Sequence, residues 1–272
     1  MTILADSFRV AWIDLAFIKR NILVVLITSL VTPLLYIVAF GYGFGNGSTV
    51  EGFDYIAFMI PGVISMSTMT SCFNNVAQKV LVQRTYYKSF DELFLCSMKP
   101  TSVILGKAWA GMVRSMISCA ILYVIGLILT DDMHVSLAAM LIIPFCGLTY
   151  ALLGVVAGMM ANSHLTLNLF TTLVMTPMSF LSGTIFSLDA LPEAAQVVLY
   201  ILPLSHSTDC IRSAILGTDF PWISLCIIVA YAVAFVLLNR YLIMKGRNRW
   251  WTTSWRSGIL SSSSGISPQW TG

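Results

Sequence analysis

The chain has 272 residues, of which 57% are hydrophobic and only 10% charged, with a mean hydropathy of +0.84 and a net charge of +3. A soluble domain carries about 25% charged residues, so a soluble fold of this composition would leave its own core uncovered; disorder and a fibrous repeat are excluded with it. The apolar runs are long and unbroken, whereas barrel strands read as alternating segments of about ten residues. The class that remains is all-α, a polytopic membrane protein.

Residues 1–20 contain Asp6, Arg9, Asp14, Lys19 and Arg20 and lack the layout of a signal peptide. With Phe8, Trp12 and Leu15 on one side, they predict an N-terminal amphipathic helix at the membrane interface. A crossing helix needs about 20 mostly apolar residues. Six segments qualify: 22–42, 55–77, 109–129, 135–160, 165–186 and 221–244. Pro33, Pro61, Pro144 and Pro177 fall inside spans, where proline is tolerated as a local kink. The stretch from Ala190 to Leu202, bracketed by Pro192 and Pro203, is too short to cross and predicts short re-entrant external helices before the last span. Residues 1–245 read as a single transmembrane domain. The tail, 246–272, is first basic and Trp-rich and then Ser/Gly-rich, which predicts an interfacial and then disordered end.

Charge sets the orientation. With six spans both termini share a side, and 14 of the 15 Lys and Arg fall on it, Arg212 alone lying opposite. Eight of the 12 acidic residues lie on the far side, so the two sides carry +10 and −7. The basic side is expected to be cytoplasmic.

Much chemistry is missing. No G-x-x-x-x-G-K-[ST] run occurs, so the chain is expected to cradle no nucleotide by a P-loop. The run from Gly41 to Gly47 follows an apolar span rather than a strand and reads as a flexible loop. The six cysteines are scattered, and His134, His164 and His206 sit on different loops, so neither a disulfide framework nor a metal site is expected. Ser205, His206 and Asp209 lie close in sequence but form no convincing hydrolase set. Arg114, about one turn into the third span, reads as an interface anchor that snorkels. Asn74, Asn75 and Gln78 end the second span and read as interhelical hydrogen-bonding residues. The pair Gly154 and Gly158 allows close helix approach, within the chain or between copies.

Two passages are more specific. From Arg84 to Lys107 a basic stretch leads to Asp91-Glu92-Leu93-Phe94, then Pro100-Thr101-Ser102, then Leu105-Gly106-Lys107. This resembles the first cytoplasmic loop of type-2 ABC transporter permeases, departing from it at Tyr86-Tyr87-Lys88-Ser89. The second passage runs from Phe180-Leu-Ser-Gly-Thr-Ile-Phe186 through Leu191-Pro192 to Leu202-Pro-Leu-Ser-His206, with Asp209 and Arg212 following. It resembles the closing signature of the same family, and is most similar in feel to nodulation-type lipo-oligosaccharide and drug exporters.

The resemblance implies a permease subunit of an ATP-driven exporter in the cytoplasmic membrane of a bacterium or archaeon. It implies a second permease copy, as a homodimer or heterodimer, and two copies of a separate ABC ATPase carrying ATP and Mg; the chain itself holds no cofactor, and no nucleic acid is involved. Arg84, Lys88, Phe90, Asp91, Glu92, Leu93 and Phe94 would dock on the ATPase, with Phe90, Leu93 and Phe94 as apolar anchors, and Asn162 and His164 would form a smaller second contact. Leu191, Pro192, Pro203, His206, Asp209 and Arg212 would line an external gate. Apolar spans with few charges fit an amphiphilic, lipid-linked, glycolipid or drug-like substrate. Two alternatives stay open: a membrane subunit that only anchors or regulates a partner, and an ion-coupled carrier, against which the scarcity of intramembrane charge speaks. Replacing Leu93 and Phe94 together by Asp is expected to uncouple ATP hydrolysis from export while the chain stays in the membrane; normal export by the double variant would refute the docking role.

Overall fold

The computed structural model describes residues 7–8, 11–12, 15–16, 19–43, 49–50, 52–87, 100–130, 132–184, 196 and 199–263, without side-chain description at 42, 100, 181 and 245–263. The described residues are almost entirely helical. Helix α1 (Ile22–Tyr36) continues as a π-helical turn, Ile37–Tyr42. A two-residue hairpin follows, Thr49–Val50 against Phe53–Asp54, turning at Gly52 with φ of 85°. Then come α2 (Tyr55–Thr85), α3 (Pro100–Leu129) and α4 (Leu137–Met160). A continuous helix with a π-helical turn inside it follows: α5 (His164–Phe170), the turn (Thr171–Met175) and α6 (Thr176–Leu181). The last two are α7 (Pro203–Leu216) and α8 (Trp222–Ser263).

Helix α2 is the centre of the bundle. Phe58, Ile60, Ile64, Met69 and Phe73 are completely buried, and α3, α4 and α7 pack on it. The peripheral α1 and α8 instead turn Leu23, Ile27, Leu35, Ile223 and Leu237 outward, as lipid-facing helices do. A Cβ at Gly154 would stand 2.8 Å from the Phe73 carbonyl oxygen, and one at Gly158 2.7 Å from that of Ala77. The small-residue pair therefore serves packing of α4 on α2 within the chain. Polar bonds lock the same core: Cys72 Sγ lies 2.9 Å from Ser115 Oγ, joining α2 to α3, and Asn239 Nδ2 donates to the Leu152 carbonyl at 2.9 Å, joining α8 to α4.

Some expected boundaries shift. Five helices among the described residues are long and apolar enough to cross a membrane: Ile22–Gly41, Tyr55–Thr85, Thr101–Leu129, Leu137–Met160 and Trp222–Met244. The remaining expected span, 165–186, is helical from His164 to Leu181 through α5, the π-helical turn and α6, with His164, Asn168 and its threonines making it less apolar than those five. It starts just after α4, and Thr184 lies against Gly62 near the start of α2, so the segment passes from one end of the bundle towards the other. The π-helical turn has a local cause. Pro177 offers no N–H to a carbonyl one turn back, and the wider π turn just before it absorbs the mismatch, with Thr176 Oγ1 donating to the carbonyl of Thr171. Helix α2 runs to Thr85 rather than 77, and α3 starts at Pro100 rather than 109. At 31 residues, α2 is about 46 Å long, well beyond the ~30 Å hydrocarbon core. Apolar patterning marks where lipid ends, but helical hydrogen bonding continues until a breaker. Helix α8 likewise runs on through the basic tail to Ser263, three residues into the part expected to be disordered, and the helix begun by α1 reaches Gly43, one residue past the expected 42, with Phe44 to Gly47 of the expected loop outside the described residues.

Gly154→Val and Gly158→Val are each expected to lower the Tm of the purified protein, overpacking costing about 1–3 kcal/mol, without changing the oligomeric state of the folded fraction. Unaltered unfolding with a lost oligomer would instead place these glycines between chains.

Candidate functional site

At one end of the bundle, the extension of α2 brings Arg84 against the end of α4. The last carbonyls of a helix have no intrahelical donors and carry the negative end of its dipole. The Arg84 guanidinium supplies the donors: Nη1 to the Met159 carbonyl, and Nη2 to the Ala161 carbonyl at 2.6 Å and Asn162 Oδ1 at 3.1 Å. Ala161 is extended, with ψ of 134°, and so ends α4. Ser163 restarts the chain, its hydroxyl accepting from the Thr166 N–H at 3.3 Å as the cap of α5. The Tyr86 ring stacks on His164 with centroids 5.8 Å apart. Around this fixed corner Tyr86, Tyr87 and Leu165 are exposed.

Three of the residues expected to contact an ATPase, Arg84, Asn162 and His164, are thus brought together. Lys88, Phe90, Asp91, Glu92, Leu93 and Phe94 lie outside the described residues. Sequence reasoning missed Tyr86 as a partner of His164, although it had marked the Tyr86-Tyr87 pair as unusual. The N-terminal residues are helical where described, with Ser7 and Ala11 buried and Phe8 and Trp12 exposed, their rings 5.9 Å apart. The aromatic side of that helix faces outward.

At the opposite end the expected external loop around Pro203, His206, Asp209 and Arg212 is a buried helix, α7. Pro203 occupies its first turn, where a missing N–H costs nothing, and Gly217, with φ of 71°, ends it. The sequence signal was there: a proline start, a glycine stop and a mixed polar and apolar run between them. Leu204, Ser205, His206, Ser207 and Thr208 are all buried. The start of α7 lies deep, with Tyr150 of α4 donating to the Pro203 carbonyl at 3.2 Å and standing 2.5 Å from Ser207 Oγ. Thr208 Oγ1 donates to Ser65 Oγ of α2 at 3.1 Å. The end of α7 is shallow: the Ile215 carbonyl accepts from the His134 N–H in the α3–α4 connection at 3.2 Å. The helix therefore climbs out of the bundle interior, a re-entrant element placed one segment later than expected.

Arg212 donates from Nη2 to the Gly183 carbonyl at 2.8 Å, its guanidinium carbon 3.7 Å from the centre of the Phe58 ring. It clamps the bend after α6 onto α2, where a Cβ on Gly62 would run into the Thr184 backbone. Asp209 is half-buried on the same helix, and Leu191 and Pro192 lie outside the described residues. His206 has Nε2 2.7 Å from the Tyr200 carbonyl and Nδ1 3.1 Å from Ser224 Oγ. A carbonyl only accepts, so Nε2 carries the proton, and Nδ1 is left to take the Ser224 hydroxyl. Ser205 Oγ donates to the Leu199 carbonyl at 2.8 Å. These pairings leave no nucleophile beside a free base, and the set is structural. Among the described residues no group of His, Cys, Asp or Glu has a metal-binding arrangement.

Comparison with known proteins agrees with this architecture. The family described as ABC-2 type transporter matches residues 8–216. Nodulation protein J of Rhizobium leguminosarum bv. viciae is 31% identical over 236 residues, covering 83% of this chain and 90% of the relative. Nodulation protein J of Rhizobium meliloti (strain 1021) is 30% identical over 231 residues, covering 84% and 88%. The inner membrane transport permease YadH of Escherichia coli (strain K12) is 27% identical over 226 residues, covering 82% and 88%. A multi-pass helical chain matched in this way from its N-terminal helix through the re-entrant helix α7 belongs to the ABC-2 type transporter family, as a transport permease.

Proposed function

We propose that this permease is the membrane-spanning subunit of an ATP-driven exporter, working as a pair with a second permease copy and with two copies of a separate ABC ATPase that bind ATP and Mg. Its cargo is an amphiphilic, lipid-linked, glycolipid or drug-like molecule, in keeping with apolar spans that hold few charges. The concentration of Lys and Arg at the Arg84 end supports cytoplasmic termini. The bacterial relatives support a location in a bacterial cytoplasmic membrane.

The observation that carries the reading is the Arg84 corner. Closure of an ATPase dimer is useful only if the motion passes into the membrane through parts that do not yield. Helix α2 reaches beyond the bilayer and is the most buried helix within it. Arg84 ties its end to α4 and to the start of α5, so a displacement of that corner moves several helices together. The exposed Tyr86, Tyr87 and Leu165 are contacts for the ATPase surface, next to the segment 88–99. A subunit that merely anchors a partner would need no such linkage.

Affinity purification in mild detergent is expected to bring down a P-loop ATPase with vanadate-sensitive hydrolysis; the chain coming down alone under several gentle conditions would contradict the reading. Arg84→Gln is expected to leave assembly intact and to lower export per ATP hydrolysed by about tenfold or more, since charged hydrogen bonds contribute ~1.5–3 kcal/mol, with Arg84→Lys intermediate because it loses the two-pronged geometry. Normal coupling in Arg84→Gln would remove the corner from the mechanism.

A further inference from the structure

A groove of about 390 Å³ runs between α1 and α2 and is closed on one side by Arg114 of α3. Among the described residues Arg114 is the only charged one in its lining. Leu129 ends α3 fifteen residues beyond Arg114, about 22 Å further on, so within a ~30 Å hydrocarbon core Arg114 lies inside it. Its Nε is buried without a hydrogen-bond partner, and so is Ser67 Oγ on the same wall. A smaller cavity that shares Asn75 and Arg114 with the groove adds Lys79 and Lys107, and among the described residues neither lining contains a carboxylate. An interface anchor would place its cation at the surface. This one faces a polar groove, with two further cations beside it, a place that concentrates negative charge.

The groove is also graded. Asn74, Asn75 and Arg114 form its polar end, whereas Val63 and Pro33 lie towards the other. Thr28 Oγ1 donates to the Val24 carbonyl at 2.8 Å and Thr70 Oγ1 to that of Met66 at 3.0 Å. Their protons are thereby committed to the helices, and their oxygens remain as acceptors. We infer that this groove binds the head of an anionic amphiphile during export. Arg114 takes a phosphate, sulfate or carboxylate, the threonine oxygens take neighbouring hydroxyl groups, and the apolar end receives the start of the chain. The inference rests on the export reading and names the charge of its cargo.

The test measures binding to the purified full chain in phosphatidylcholine nanodiscs, using fluorescently labelled dodecyl phosphate and its uncharged dodecanol counterpart. No ATPase is present, so failure here leaves the ATPase partnership standing, and the reverse also holds. The wild-type chain is expected to bind the phosphate probe at least about tenfold more tightly than the alcohol, as a charge-assisted contact requires. Arg114→Gln removes that preference and Arg114→Lys keeps most of it. Equal affinities in the wild type would overturn the inference whether or not the variants fold. Asn74→Leu gives an independent variant, expected to weaken the phosphate probe more than the alcohol; an equal effect on both counts against the site. Displacement of the probe by excess inorganic phosphate would show that the groove takes a free anion, and displacement by phosphatidylglycerol in the nanodisc would assign it to a resident lipid. Either overturns the assignment to an amphiphilic cargo.

Discussion

Inside a bilayer an apolar side chain gains nothing by leaving lipid for protein, so helices hold together by close packing and internal polar bonds. The contact on which the rest of this structure depends is that of α4 on α2. Two glycines one turn apart let the α4 backbone meet the carbonyls of Phe73 and Ala77, and the tight approach brings the end of α4 within reach of Arg84. A side chain at either glycine would collide with those carbonyls and push the helices apart. That displacement would strain the Arg84 contacts to Met159 and Ala161, and with them the corner that joins three helices.

The same spine organises the opposite end. Helix α7 brings Ser205, His206, Ser207 and Thr208 into the interior, an arrangement that is stable only because each side chain finds a partner. Tyr150, Ser65, Ser224 and the carbonyls of Leu199 and Tyr200 provide them. Arg212 completes the set by spreading its charge over the Phe58 ring and the Gly183 carbonyl. A re-entrant helix tied to its neighbours by this many polar contacts is rigid in a way an external loop is not. It gives the outer half of the bundle a fixed wall, while the proposed drive acts at the other end.

Much of this was legible in the sequence, and the failures share a cause. Composition fixed the class, and apolar runs located the crossing helices, because lipid imposes a length and a polarity that hydropathy reads directly. The ends of α2, α3 and α8 were misplaced because polar residues such as Gln78 and Arg84 end an apolar run without ending a helix. Helix α7 was missed as a buried element because its serines and histidine look like loop residues until their partners, up to 143 positions away in sequence, are known. The pairing of Arg84 with the end of α4 spans 75 residues or more and no local pattern announces it. Arg114 was read as an anchor for the same reason: its depth was visible, but the groove it faces is made by two other helices.

The central claim is that the Arg84 corner is the face that meets an ATPase. Photo-crosslinking from the assembled complex in native membranes tests it most directly, with a photoreactive residue placed at Tyr86 and, separately, at Val135, which is exposed at the opposite end. The account predicts a covalent adduct with a P-loop ATPase from position 86 and none from position 135. An adduct from 135 with none from 86 would contradict both the orientation and the proposed coupling.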